Sequence, residues 1–235
     1  MVGKDGQVSG WRRVGQLLFS PGKVFPALAA QHWLKPALLL VGLNLLLAGI
    51  IAPKTAAFAA WLVKQGAAQV PPEKLAEVQA LAPKAAVSGL FVGALVVPWV
   101  TWVTVAALLQ LFAALSAREA SFSALFTVAV YGYLPVFLRT VIANLLFLVT
   151  PLENLTMRSQ LSLAVFLPPQ KSFLYFFLAN CSPFTWWSLV LWGVGGAAVM
   201  KARPGTVTAY LFALWLLLAL ALAGLSSLAP APPGV

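Results

Sequence analysis

Of the 235 residues, 61% are apolar and only 9% are Asp, Glu, Lys or Arg, whereas about 25% are charged in ordinary soluble domains. This composition excludes a water-soluble fold, because too few charged side chains are present to cover a surface that faces water. The net charge of +10 does not indicate nucleic-acid binding, since the fifteen basic residues lie almost entirely between apolar stretches, where they set orientation and contact anionic lipid headgroups.

Residues 1–35 are expected to form a cytoplasmic or interfacial amphipathic segment. Apolar residues lie there among Arg12, Arg13 and Lys23, a pattern typical of a helix on the membrane surface with its basic side chains toward phosphates. A solvated tail is the alternative interpretation. The charged stretch is too long for the n-region of a cleavable signal peptide, so the first apolar run is expected to be a retained span.

The rest of the chain predicts an all-α, polytopic membrane bundle over residues 36–228, followed by a short Pro-rich tail at 229–235. A bilayer core about 30 Å thick is crossed by about 20 mostly apolar residues in an α-helix, and five stretches approximate this length. Pro98 predicts a kink in the second span, because proline has no N–H to donate to the helix. The predicted spans are residues 36–52, 86–115, 122–150, 183–200 and 207–228.

Two longer connections separate the predicted spans. Residues 53–85 contain four lysines and two glutamates and indicate a small extramembrane helical hairpin. In the second connection, residues 151–182, the apolar run from Phe173 to Ala179 is too short to span a bilayer. An interfacial or re-entrant helix is expected there, before the fourth span, and a sixth span fused to the fourth is the alternative.

The basic residues favour a cytoplasmic N-terminus and an exterior C-terminus. In this orientation more Lys and Arg residues lie in the cytoplasmic segments than in the exterior ones, and the tail after Leu228 carries no charge. The single cysteine, Cys181, excludes an internal disulfide and leaves the redox compartment undetermined.

The predicted spans lack the residues that intramembrane catalysis or metal binding requires. The only histidine, His32, and the only aspartate, Asp5, precede the first span, and no glutamate lies inside a span. Cys181 is more typical of a small buried side chain than of a nucleophile, since no base lies near it in the sequence. We therefore expect no catalytic residue, no cofactor, no metal and no enzymatic activity.

Arg139 is the one charged residue inside a predicted span. An arginine at that depth costs roughly 2.5 kcal/mol or more unless it is solvated or paired. Candidate partners are the Tyr131 carbonyl freed by Pro135, a lipid phosphate, an anionic ligand or an amide. The amides are Gln110, Asn144 and Asn44. Structural pairing and a functional contact of Arg139 and Asn144 with an anion or lipid headgroup both remain open.

Glycines predict where transmembrane helices approach each other closely, because lipid provides no hydrophobic drive for helix association. Gly89 and Gly93 form a Gly-x-x-x-Gly pair in the second span, and Gly193, Gly195 and Gly196 cluster in the fourth. Each set indicates either packing inside the bundle or the seam of a dimer.

The third span contains Tyr131-Gly132-Tyr133-Leu134-Pro135, which resembles the Gly-Tyr-x-x-Pro signature of the Yip1 family of five-span membrane proteins. Gly132 removes bulk between two tyrosines and Pro135 breaks helix hydrogen bonding, so a kinked, closely packed stretch is expected. Two further stretches are similar to prokaryotic members. They are Ser20 to Phe25 followed by Trp33 to Pro36, and Ser182 to Trp187 continuing to Gly195.

The resemblance implies a helical bundle with a cytoplasmic N-terminus, a short exterior C-terminus and a role in binding other membrane components. Eukaryotic relatives interact with Rab GTPases in vesicle traffic. A Rab partner is not expected for this chain, because only about 35 residues precede its first span and the Asp-Leu-Tyr-Gly-Pro element of those relatives is missing.

Two functional hypotheses follow. The first is a non-enzymatic protein of a bacterial plasma membrane that acts as a scaffold or partner subunit for another membrane protein or a second copy. The alternative is a small transport or lipid-handling protein in which Arg139 contacts an anionic substrate or headgroup. The expected partners are the lipid bilayer with its anionic headgroups and a membrane protein or homo-oligomer, without nucleic acid.

Overall fold

The computed structural model describes residues 21–28, 32–67, 70–155, 161–168 and 170–228. Most of the predicted N-terminal segment and the whole tail at 229–235 therefore lie outside the described residues. Within the described ranges the chain is helical and contains no β-strand, which confirms the all-α polytopic bundle. The α-helices are α1 (Pro21–Leu28), α2 (Leu34–Gln65), α3 (Pro72–Leu115), α4 (Phe122–Gly132), α5 (Leu134–Val149), α6 (Phe173–Asn180), α7 (Pro183–Met200) and α8 (Pro204–Leu228).

Four helical stretches of the described chain are long and apolar enough to cross a membrane. They are α2, α3, the pair α4 and α5 taken together, and α8. Helices α6 and α7 add a fifth if the pair is one broken span, since they meet the same requirement together and are bent by 51° at the break between them. The short helix predicted before the fourth span is thus present as α6, joined to α7 by Cys181 and Ser182.

Helices α2 and α3 continue well beyond the predicted first and second spans. Helix α2 runs on to Gln65, and α3 already begins at Pro72, so the charged connection is formed mainly by the ends of two long helices. Pro53 and Pro83 lie inside these helices without ending them. Ala, Lys, Leu, Glu and Gln, which have high helix propensity, dominate the sequence around both prolines and favour continuation of the helix.

The third predicted span consists of two helices that meet at Tyr133. Helix α4 begins after Ser121, whose hydroxyl accepts a hydrogen bond from the Ala124 N–H at 3.3 Å. At its other end the Tyr133 N–H donates to the Val130 carbonyl at 3.3 Å. Pro135 lies in the first turn of α5, where its missing N–H leaves no hydrogen bond unmade. The break in the span therefore falls inside the Gly-Tyr-x-x-Pro motif.

The helices contribute to two compact units. The first unit contains residues up to Ala37, Thr101–Pro135 and Thr185–Leu214, and the second contains Leu38–Val100, Val136–Phe184 and residues from Trp215 onward. Large side chains fill the core of the first unit: Phe25, Trp102, Leu109, Leu125, Leu191 and Val207 are fully buried. Smaller residues such as Ala48, Ala219 and Ala223 are buried in the second unit, where many leucines and valines face outward, as expected for helices surrounded by lipid.

Candidate functional site

Gly132, in the first unit, lies directly against the indole of Trp192 from helix α7. A Cβ atom at position 132 would lie 2.5 Å from Nε1 and 3.1 Å from Cγ of that indole. Trp192 is only 5% exposed, and its Nε1 donates a hydrogen bond to the Ala129 carbonyl at 3.0 Å. Because the indole is fixed by burial and by this hydrogen bond, only a residue without a side chain fits at position 132.

Tyr133, the next residue of the motif, belongs to an aromatic cluster of the first unit. Its ring packs edge-on against Trp102, with the ring centroids 5.8 Å apart. Trp102 packs in the same way against Phe126 at 6.4 Å, and Phe126 against Trp33 at 4.9 Å. Such pairs stabilise by about 0.5–1.5 kcal/mol beyond the burial of their area. The motif is therefore part of a packed core, in which Pro135 is also buried.

The glycines of α7 lie where this helix meets three others of the first unit. A Cβ at Gly193 would lie 2.7 Å from the Cα of Thr208 in α8. At Gly195 it would lie 2.7 Å from Val128 of α4, and at Gly196 it would lie 2.7 Å from a leucine of α3. These distances are too short for a side chain, so this cluster permits close helix packing inside the bundle.

Gly89 and Gly93 are placed differently, in the part of α3 that belongs to the second unit. A Cβ at either position would have no neighbour within 4 Å in the described chain. Internal packing, one of the two roles expected for this pair, is therefore not seen in the described residues. The dimer or partner seam remains as a prediction.

Lys54 binds the end of helix α5 in the second unit. Its Nζ donates to the Leu148 carbonyl at 2.8 Å and also to the Thr150 carbonyl, and it lies 5.7 Å from the ring centroid of Phe147. A cation at this position opposes the partial negative charge at the C-terminus of a helix.

Arg118 binds the C-terminal end of helix α7 in the first unit. From the loop after α3, its Nη1 donates to the Met200 carbonyl at 3.2 Å and to the Lys201 carbonyl at 2.6 Å. In the sequence Arg118 is recognisable only as a basic residue between the second and third predicted spans. Its acceptors lie 82 and 83 residues away, and no local pattern reveals such a contact.

Arg139 is half-buried in α5, about 15 Å from the end of that helix at Val149. It forms no hydrogen bond and no ion pair with any residue that the structure describes. One proposed partner, Asn44, instead donates to the Leu40 carbonyl of its own helix at 2.9 Å. The arginine thus has a cost of burial that no described protein group offsets.

An open cleft of about 260 Å³ lies between helices α2 and α5 of the second unit. The Thr55 hydroxyl on its wall donates to the Ile51 carbonyl at 3.0 Å. The amide of Asn144, also on the wall, has no hydrogen-bond partner among the described residues. Arg139 does not line the cleft. The complete lining is Ile51, Thr55, Phe58, Ala143, Asn144 and Phe147.

The sequence model of the Yip1 domain matches residues 15–225, which include the motif and nearly all of the described helices. The chain belongs to the Yip1 family. The family membership suggested by the motif is thereby confirmed, and the chain is a multi-pass integral membrane protein. No curated protein and no solved structure matches the chain.

The described part of this Yip1 protein contains no group of three or more His, Cys, Asp or Glu side chains that could hold a metal ion. His32 accepts a hydrogen bond from the Leu34 N–H at 3.4 Å and stacks on Trp33 at 5.6 Å. The Cys181 side chain is 3% exposed. Both residues therefore have local structural roles, and the Yip1 family is generally non-enzymatic.

Proposed function

We propose that this Yip1 protein is a non-enzymatic scaffold or partner subunit that binds a transmembrane helix of another membrane protein or of a second copy. The supporting observation is the open space beside Gly89 and Gly93 on α3. The glycines of α7, in contrast, all contact neighbouring helices of their own unit. A Gly-x-x-x-Gly pair that meets no other helix of the described residues presents a surface on which a second helix can pack closely.

The residues around this pair fit a helix-binding surface inside a membrane. Val92, Val96 and Val97 lie three or four residues after one of the glycines, on the same side of the helix, and are exposed. Large apolar side chains beside two glycines form a shallow groove, and the backbone of a second helix can approach its floor. Van der Waals contacts of this kind drive helix association in lipid.

Replacing both Gly89 and Gly93 by leucine should reduce association with the partner or second copy by at least tenfold, because the added side chains separate the two helix backbones. Crosslinking of the full-length chain in native membranes, quantified by mass spectrometry, measures the loss. Stability of the isolated chain should stay equal or rise by up to about 1 kcal/mol per position, since a Cβ at either glycine has no neighbour within 4 Å in the described chain and leucine favours a helix more than glycine does.

The matched control is Ala80→Leu, an exposed position of the same helix on the side opposite the glycine pair. This control should retain the crosslinked species of the wild type. An undiminished crosslinked species in the double glycine variant would contradict the proposed surface.

A second candidate function is transport or handling of an anion at Arg139. The supporting observation is that this half-buried arginine has no hydrogen bond or ion pair among the described residues. An unpaired arginine in a transmembrane helix is costly, and an anionic substrate or headgroup would offset that cost.

Inorganic phosphate should raise the Tm of the purified chain if Arg139 contacts a free anion, and Arg139→Gln should abolish that shift with little loss of yield. Thermal unfolding in detergent with increasing phosphate measures the effect, with Lys64→Gln as a control at an exposed lysine. If Arg139 has only a packing role, Arg139→Gln changes the yield of folded protein and leaves any phosphate-dependent shift in Tm unchanged.

For the location we propose a bacterial plasma membrane, with the N-terminus in the cytoplasm and the C-terminus outside. The excess of basic residues in the segments assigned to the cytoplasm supports this orientation. Alkaline phosphatase fused after Leu228 should be active, because this enzyme requires an exterior location. Alkaline phosphatase activity of a fusion within the loop at Arg118, and none after Leu228, would show the opposite orientation.

A further inference from the structure

The cleft between α2 and α5 has mainly apolar walls, and two polar groups with unused hydrogen-bonding capacity lie on its wall or at its edge. One is the amide of Asn144, which has no partner in the described chain. The other is Lys54, whose ammonium has three N–H groups. Two of them donate to the Leu148 and Thr150 carbonyls. No described residue accepts from the third.

Lys54 lies at the edge of the cleft. It precedes Thr55, which lines the cleft, and its Nζ lies 5.7 Å from the ring centroid of Phe147, another lining residue. Asn144 precedes Leu148 by four residues and therefore lies about 6 Å further from the end of α5. A ligand in the cleft would thus meet a cation near the helix end and an amide deeper in the span.

We propose that this cleft binds one anionic phospholipid. The phosphate accepts a hydrogen bond from Lys54, an ester carbonyl accepts from the Asn144 amide, and the glycerol backbone between them packs on Ile51 and Phe147. The acyl chain continues past Ala143 toward the middle of the membrane. Apolar walls with a few placed polar groups are the usual composition of a ligand site.

A membrane lipid fits this site better than a water-soluble ligand does. Both helices that form the cleft belong to stretches long and apolar enough to cross a membrane. The cleft lies near the ends of the predicted spans 36–52 and 122–150, the level at which lipid headgroups meet acyl chains. The order of the contacts, with the cation at the helix end and the amide deeper, matches the order of phosphate and ester along a lipid. The site goes beyond partner binding at Gly89 and Gly93, and it does not use Arg139.

The test adds 1-palmitoyl-2-oleoyl phosphatidylglycerol to the delipidated full-length chain and measures binding by native mass spectrometry and by the rise in Tm. Phosphatidylcholine with the same acyl chains serves as the comparison lipid. One phosphatidylglycerol should bind per chain, about tenfold more tightly than phosphatidylcholine, because only the anionic lipid gains a net attraction from Lys54. Equal binding of the two lipids would overturn the proposal.

Two variants separate loss of the site from loss of the fold. Ala143→Leu fills the cleft without removing a polar group, so it should abolish the lipid-dependent rise in Tm while the Tm without lipid stays equal or increases. Lys54→Gln lowers the Tm without lipid because it removes the contact with the end of α5, and it should also remove the preference for phosphatidylglycerol. Unchanged lipid binding by Ala143→Leu would overturn the site.

Matched controls keep the cleft intact. Ala57→Leu adds the same side chain at an exposed position of α2, and Lys64→Gln removes an exposed cation of that helix. Both should bind lipid like the wild type. Arg139→Gln should also retain the lipid-dependent rise in Tm. Loss of this rise in the Arg139→Gln chain would place the lipid at Arg139 and overturn the proposed cleft site. Glycerol phosphate should have no effect in the Arg139→Gln chain, whereas a rise in Tm would indicate a site for soluble phosphate.

Discussion

Gly132→Val should lower the free energy of unfolding by about 2–6 kcal/mol or prevent recovery of folded protein. The new side chain would occupy the position of the Trp192 indole, so that tryptophan must move. Its movement breaks the hydrogen bond to the Ala129 carbonyl and leaves a buried N–H without an acceptor. Overpacking typically costs about 1–3 kcal/mol, and the buried unsatisfied group adds a similar amount.

The yield of monodisperse protein in detergent and the Tm measure this effect. Gly93→Val is the matched control, because a Cβ at that position has no neighbour within 4 Å among the described residues. The control should fold with a Tm close to that of the wild type. A Gly132 variant as stable as this control would mean that Trp192 rearranges freely and that the motif glycine has another role.

The contact between Gly132 and Trp192 gives the family motif a physical explanation that its sequence alone does not contain. The sequence indicated that Gly132 removes bulk and that Pro135 interrupts helix hydrogen bonding. It did not identify the group that fills the vacated space, since Trp192 follows its hydrogen-bond acceptor Ala129 by 63 residues. Long-range pairings of this kind depend on which helices become neighbours, and hydropathy does not determine that choice.

Hydropathy was sufficient for the fold class and was less informative about where helices end. The apolar stretches predicted the membrane-spanning helices, because only helices satisfy their own backbone hydrogen bonds in lipid. The high hydropathy of the first predicted span ends before Pro53, where charged residues begin, although helix α2 continues to Gln65. A helix outside the membrane depends on helix propensity and packing, so a fall in hydropathy does not end it.

The hydrogen bonds made by single polar side chains were the least predictable part of the structure. Lys54 and Arg118 each bind the carbonyl end of a helix distant in sequence, and they appeared in the sequence only as basic residues near span ends. The glycines were recognisable as small residues suited to packing. Their sequence spacing did not separate Gly193, which contacts a neighbouring helix, from Gly89, which contacts none in the described chain.

Gly193→Ala and Gly224→Ala should change stability in opposite directions although the substitution is the same. At Gly193 the new Cβ would lie 2.7 Å from the Cα and 2.8 Å from the Cβ of Thr208. The Cα cannot rotate away, so helices α7 and α8 must separate within the first unit, at a cost of about 2–4 kcal/mol. At Gly224 a Cβ has no neighbour within 4 Å among the described residues, and alanine should stabilise the helix by up to about 1 kcal/mol.

A double variant distinguishes this steric explanation from a general sensitivity of α7. Thr208→Gly removes the Cβ and hydroxyl that the new methyl group meets, but it leaves the Cα in place. Adding it to Gly193→Ala should therefore recover only part of the lost stability, with a coupling energy of about 1–2 kcal/mol measured from the Tm values of the four chains. Strict additivity of the two substitutions would show that α7 does not contact α8 at this point, since residues that share no contact do not couple.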